Sequence, residues 1–113
     1  MKKDPKVFIG HITESIELIE QYAKNLTTDK FKKNVAMQDA IIRRLEIIGE
    51  AVKNIPSTFK TKHPESPWKQ MAGMRDVLIH EYFDVDLLLT WTVVKQDLPL
   101  IKTKLQKMLS DDA

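Results

Sequence analysis

From Leu87 to Met108, the residues Leu87, Trp91, Val94, Leu98, Ile101, Leu105 and Met108 recur in an unbroken alternation of four and three. That spacing follows the 3.6-residue turn and marks one long face of an α-helix, not the period of two that a strand requires. An apolar face of that length has to be buried against others, and the chain supplies them. Ile9, Ile12, Ile16, Ile19, Ala23 and Leu26 form a second stripe, with Glu14, Glu17 and Glu20 on the outer face. Ile41, Leu45, Ile48, Val52 and Ile55 form a third, with Gly49 beside it as a point where another helix can approach closely. Trp68, Met71, Leu78 and Tyr82 form a fourth. There is no strand-like alternation, hairpin dipeptide, internal repeat or low-complexity tract. The expected fold is all-α, an antiparallel bundle of four to five helices.

Boundary signals agree with the stripes. Asp4-Pro5 and Ser66-Pro67 each read as a capping residue followed by a proline that opens a helix. Thr27-Thr28-Asp29 breaks the first stripe and supplies a cap for the next helix or for a short lead-in to it. Residues 56–66, with three prolines in or just after them, read as the one long irregular segment. The fourth stripe is expected to end near Tyr82-Phe83-Asp84-Val85-Asp86, with Asp84 or Asp86 capping the last helix. Pro99 lies inside that last helix and removes a backbone donor, so a kink is expected between Lys95 and Pro99.

The chain has 113 residues, of which 42% are hydrophobic, enough for one core and hence one domain spanning residues 1–113. The net charge of +2 does not demand a nucleic-acid partner, although a local basic patch could still serve one. Arg43-Arg44 and the lysines at 30, 32 and 33 are the candidates, and a solvated basic face is the plainer account of each. The absence of cysteine excludes thiolate chemistry and fits a reducing, cytoplasmic setting. Apolar runs are too short to cross a membrane. Met-Lys-Lys-Asp-Pro at the start has no apolar stretch behind it and does not read as a signal peptide. His11 and Glu14 are three apart, but no second pair accompanies them, and no metal site is expected. The isolated glycines form no phosphate loop, and no cofactor is expected.

One residue breaks the fourth stripe. Between Met71 and Leu78 the helical pattern passes through Arg75, a cation where a hydrophobe is due. Burying an unpaired guanidinium costs several kcal/mol, so a structural carboxylate such as Glu46 or Glu50, or an anionic ligand, has to offset it. His80 and Tyr82 follow, and the three together suit phosphate chemistry: a fixed cation, a proton carrier near neutral pH and a hydroxyl. Asp76 lies four residues before His80 and can orient its ring. Each also has a structural reading, with His80 favoured by a helix C-terminus and Tyr82 as plain core. On a straight helix Arg75 and Tyr82 lie about 20° apart but Arg75 and His80 about 140° apart. One straight helix cannot aim both at the same atom. A break near His80, or a second copy across a two-fold axis, would bring them together.

Arg75-x-x-x-x-His80-x-Tyr82 resembles the R-x-x-x-x-H-x-Y signature of HepT-like proteins in the HEPN superfamily. The likeness extends to Ile48-Gly49-Glu50-Ala51, Pro67-Trp68, Gly73-Met74-Arg75-Asp76, Trp91 and Leu98-Pro99. It implies a HEPN-like helical bundle that forms a homodimer, with arginine and histidine lining a cleft at the interface. It also implies a metal-independent RNA endonuclease, the toxin of a pair whose antitoxin is a minimal nucleotidyltransferase (MNT). By this resemblance Arg75 would clamp the RNA phosphate, His80 would move the proton, and Asp76 would orient the site. Tyr82 would be the tyrosine to which the partner transfers AMP. A catalytically silent helical partner of a nucleotidyltransferase, or a plain interaction module, are the alternatives.

Overall fold

The computed structural model describes the backbone of residues 4–80 and 87–111, and the side chains of residues 4–74 and 87–111. The architecture is all-α, a HEPN-like antiparallel bundle with no strand among the described residues. Helix α1 spans Pro5–Ala23, α2 Thr28–Lys33, α3 Val35–Lys53, α4 Ser57–Lys62 and α5 Trp68–His80. Helix α6 (Leu87–Thr92), a π-helical turn (Val93–Asp97) and α7 (Leu98–Asp111) follow one another without a break.

The helices start where local chemistry says they should. The Asp4 carboxylate accepts from the Lys6 amide at 2.9 Å, and Pro5 opens α1 without wasting a donor. Thr27 caps α2, accepting from Lys30 N at 3.2 Å, and Asn34 caps α3, accepting from Met37 N at 3.1 Å. The expected short lead-in is therefore α2. It is fixed from both sides. Phe31, fully buried, stacks on Trp91 with ring centres 4.8 Å apart. The Gln38 amide donates to the carbonyls of Phe31 and Lys32, covering the helix end.

The core is the meeting of the stripes. Ile9, Ile12, Ile16 and Ile19 of α1 are all 0% exposed. They pack with Ile41, Leu45, Ile48 and Val52 of α3 and with Leu98, Ile101, Leu105 and Met108 of α7 in one cluster. Burial of each such side chain contributes roughly 1.5–3 kcal/mol. Lys102 Nζ donates to Glu20 Oε1 at 2.9 Å, tying α7 to α1 at the surface. Gly49 is buried in α3, on the side of the stripe where the sequence placed it.

Three expectations change. The segment at 56–66 is not irregular throughout, because Pro56 in extended backbone leads into α4 at Ser57. One turn and a half with a single large apolar residue, Phe59, is too short to show a period. Ser66 does not cap α5 with its side chain. Its hydroxyl points inward, 3.7 Å from the Met108 sulfur, and the first helical bond runs from Met71 N to the Pro67 carbonyl. Finally, the disturbance before Pro99 takes a particular form. The Leu98 amide bonds to the Val93 carbonyl, five residues back, and the helix widens into a π turn. This wider turn answers the clash that a proline ring makes with the carbonyl four residues before it, here Lys95. The expected caps Asp84 and Asp86 lie outside the described residues.

Candidate functional site

Helix α5 carries the motif, and its first half is anchored firmly. The Trp68 indole N–H donates to the His63 carbonyl at 2.9 Å, and Phe59 lies edge-on to the same indole. His63 packs against Phe59 with ring centres 4.7 Å apart, and its Nδ1 lies 3.5 Å from Glu65 Oε1. Its place is therefore structural. Met71 is fully buried and Met74 nearly so. Gln70 reaches across to the π turn, its Nε2 donating to Asp97 Oδ2 at 3.3 Å.

That anchoring fixes where the motif positions fall. The backbone is helical through His80, so each residue turns by about 100°. Position 75 falls in azimuth between Trp68 and Met71. Position 80 lies within about 20° of Gly73 and roughly 140° from position 75. Helix α5 thus stays regular through the whole arginine-to-histidine interval, and no break brings the two positions together before His80. Position 76 keeps its i, i+4 relation to position 80. The side chains of Arg75, Asp76 and His80, and Tyr82 as a whole, lie outside the described residues.

The other sequence candidates resolve plainly. Arg43 is 71% exposed and lies 3.6 Å from Glu46, one of the two carboxylates considered for Arg75. Lys30, Lys32 and Lys33 are exposed on α2. His11 and Glu14 are exposed on α1, and His11 meets Phe8 edge-on. Among the described residues no group of three His, Asp or Glu side chains could hold a metal ion, and no helix is long and apolar enough to cross a membrane.

One feature beside α5 had no signal in the sequence. A half-open cavity of about 220 Å³ lies between α5, α3 and the π turn. Its walls include Leu45, Met74, Leu89 and Val93, and Gln70 and Asp97 stand among its lining residues. Those two are 27 positions apart, so no local pattern could have paired them. Only Pro99, which announced a distorted turn, hinted at the place.

The fold and the motif helix define a class, helical-bundle proteins of the HEPN type. Comparison with known proteins narrows it. Residues 12–108 match the family model described as Ribonuclease HepT-like. The chain is 49% identical over 108 residues to "Probable ribonuclease HepT" of Thermococcus cleftensis, covering 96% of this chain and 98% of that one. It is 53% identical over 111 residues to "Gamma-glutamylcyclotransferase and putative RNase" of Methanocaldococcus jannaschii, covering 98% of this chain. There it spans only 50% of the relative's length. No solved structure matches. The chain belongs to the HepT-like ribonuclease family.

Proposed function

We propose that this protein is a metal-independent RNA endonuclease, the toxin of a HepT/MNT-type toxin–antitoxin pair acting in the cytoplasm. The observation that carries the reading is the match of residues 12–108 to HepT-like ribonucleases, together with a motif helix α5 that runs through positions 75, 76 and 80. A cation on the apolar stripe that the sequence marks there is costly unless it faces an anion. In the proposed reaction the ribose 2′-hydroxyl attacks the adjacent phosphorus, and the bond from phosphorus to the 5′-oxygen breaks. His80 takes the proton from the 2′-hydroxyl or delivers one to the leaving oxygen. Arg75 holds the phosphate and the charge that builds on it, and Asp76 orients the imidazole. The products are a 2′,3′-cyclic phosphate and a 5′-hydroxyl end.

The roughly 140° between positions 75 and 80 favours a homodimer with the α5 helices near the two-fold axis, so that one cleft draws on two copies. Regulation is proposed at Tyr82. A cognate MNT-type nucleotidyltransferase, using ATP and magnesium, would transfer AMP to its hydroxyl and release pyrophosphate. The added charge and bulk would compete with RNA for Arg75.

The test is RNA cleavage by purified protein in EDTA. Arg75→Ala and His80→Ala should each lower it roughly 10²–10⁴-fold, with the dimer intact by sedimentation. DNA, lacking the 2′-hydroxyl, should survive. Equal cleavage by the alanine variants, or cleavage that returns only with magnesium, sinks the mechanism. Wild type that never cuts RNA yet gains AMP from the partner supports the silent-subunit reading instead.

A further inference from the structure

The positive charge of this chain is gathered in one stretch. Residues 24–44 hold six basic and two acidic side chains, a local net charge of +4, whereas the whole chain carries +2 and the remainder therefore −2. Within that stretch Lys30, Lys32 and Lys33 stand exposed on α2, a helix of six residues. Lys30 and Lys33 are three apart, a like-charge spacing that works against a helix. None of the three forms an ion pair among the described residues. Lys102, on the seam between α7 and α1, has Glu20. Lysines also suit the negative end of a helix dipole. Here that end is already covered, because the Gln38 amide donates to the Phe31 and Lys32 carbonyls.

This self-repelling helix is nevertheless held firmly. Thr27 caps its start, and Phe31 stacks on Trp91 beneath it. Lys95 is exposed on the π turn, its Nζ 5.0 Å from the centre of the Trp91 ring, so a fourth cation stands beside the same aromatic pair. A short helix with unpaired like charges, fixed in place by a buried aromatic stack, presents those charges to something outside the chain.

We infer that α2 and Lys95 form a binding surface for the sugar–phosphate backbone of the RNA substrate; the inference rests on the ribonuclease reading. Phosphates are the anions that such a row of ammonium groups fits, and clustered lysines are the usual electrostatic footprint of nucleic-acid binding. Phe31 and Trp91 are 0% and 7% exposed and offer no free face on which a base could stack. Contact is therefore with phosphates alone and is blind to sequence.

The place of α2 suits this role. Leu45 of α3 and Met74 of α5 line one cavity, and the two helices run antiparallel. Six residues further along α5, about 9 Å by the helical rise, position 80 comes level with residue 39 of α3. Gln38, its neighbour, is the residue that holds the end of α2. The lysine surface and the histidine position of the motif thus share one end of the bundle. Lys62, Lys104 and Lys107 are also exposed, but they lie on α4 and α7 toward the other end, where Glu65 and Asp111 accompany the two lysines of α7.

The test is fluorescence anisotropy of the intact protein with a labelled 2′-O-methyl RNA of about 16 nucleotides, which lacks the attacking hydroxyl and is bound without being cut. Wild type should bind purine-rich and pyrimidine-rich sequences about equally. Changing Lys30, Lys32 and Lys33 together to Gln should weaken binding at least about tenfold at ~100 mM salt and flatten the log–log salt slope by about two, since each single-strand phosphate contact contributes roughly 0.7. The matching triple change to Arg should keep both. The charge-matched control, Lys62, Lys104 and Lys107 to Gln, should keep the wild-type slope. No binding by wild type, a strong sequence preference, or equal losses in the control overturns the surface. A helix-α2 Gln variant that binds RNA normally but no longer forms a complex with the nucleotidyltransferase would assign the lysines to that protein and refute the RNA surface. Binding that depends on the α2 lysines in a protein that never cuts unmodified RNA would keep the surface and refute the ribonuclease reading. Cleavage with wild-type KM by the α2 Gln variant would do the reverse.

Discussion

Helices α1 and α5 both pack against α3, and each carries one glycine. Beyond that they are built differently. In α1 every position of the apolar stripe is filled by a hydrophobe, and its isoleucines are sealed from water. In α5 the stripe holds through Trp68 and Met71 and then meets Arg75. One side of α5 opens onto a cavity, and its far end carries the histidine of the motif. The contrast teaches where stability is made and where it is given up. The α1–α3–α7 core can hold the bundle together, which leaves α5 free to border a void at a cost that an isolated helix could not sustain.

The largest expected effect tests the core side of that contrast. Ile16→Ala, at a site with no exposure, should lower unfolding stability by about 2–5 kcal/mol in denaturant melts. RNA cleavage per folded molecule should stay close to wild type. A loss below 1 kcal/mol would show that α1 is not the support it is taken to be.

The glycines give a sharper comparison. Among the described residues, nothing lies within 4 Å of where a methyl group at Gly10 or Gly73 would stand. Gly10→Ala and Gly73→Ala should therefore each raise stability by up to about 1 kcal/mol through helix propensity. Only the change in α5 should alter RNA cleavage. Equal functional effects from both would break the division between the helices.

Helix α1 also contains one imperfection of its own. The Ser15 hydroxyl is buried and has no hydrogen-bond partner among the described residues. Ser15→Ala removes that uncompensated group and improves helix propensity, so a gain of roughly 0.5–1 kcal/mol is expected. A clear loss of stability would mean that the hydroxyl serves a purpose that α1's packing does not reveal.

The smallest effect belongs to the surface tie between α7 and α1. The hydrogen bond that Lys102 donates to Glu20 raises the lysine pKa above its usual 10.5, against an opposing cost of desolvation and with help from the charges of Glu20 and Glu17. A raised lysine pKa adds stability that is fully present below 10.5 and fades as pH climbs through the higher folded value. Thermal melts should therefore show wild type and Lys102→Met holding a constant gap up to about pH 10 and converging above 10.5. The gap should also shrink in high salt.

Much of this molecule was legible residue by residue. The isoleucine stripe of α1, the Asp4-Pro5 start and the run from Leu87 to Met108 depend on neighbours three or four positions away, and such patterns need no tertiary information. Even the disturbance at Pro99 could be foreseen, because a proline ring always meets the carbonyl four residues back. Its outcome as a π turn could not, since that depends on what the widened turn packs against. Ser66 shows the same limit. Its place before Pro67 matches a cap, but Met108, 42 positions away, lies where the hydroxyl points.

The sequence by itself determined an all-α bundle, its main stripes and a motif helix with an arginine among hydrophobes, because helical periodicity and the cost of a buried cation are local facts. Only the tertiary structure decided that α2 is held by Phe31 against Trp91, that 57–62 forms a helix, and that Gln70 meets Asp97 at the rim of a cavity. Those depend on chain segments far apart in sequence, whose meeting is set by how the whole core closes.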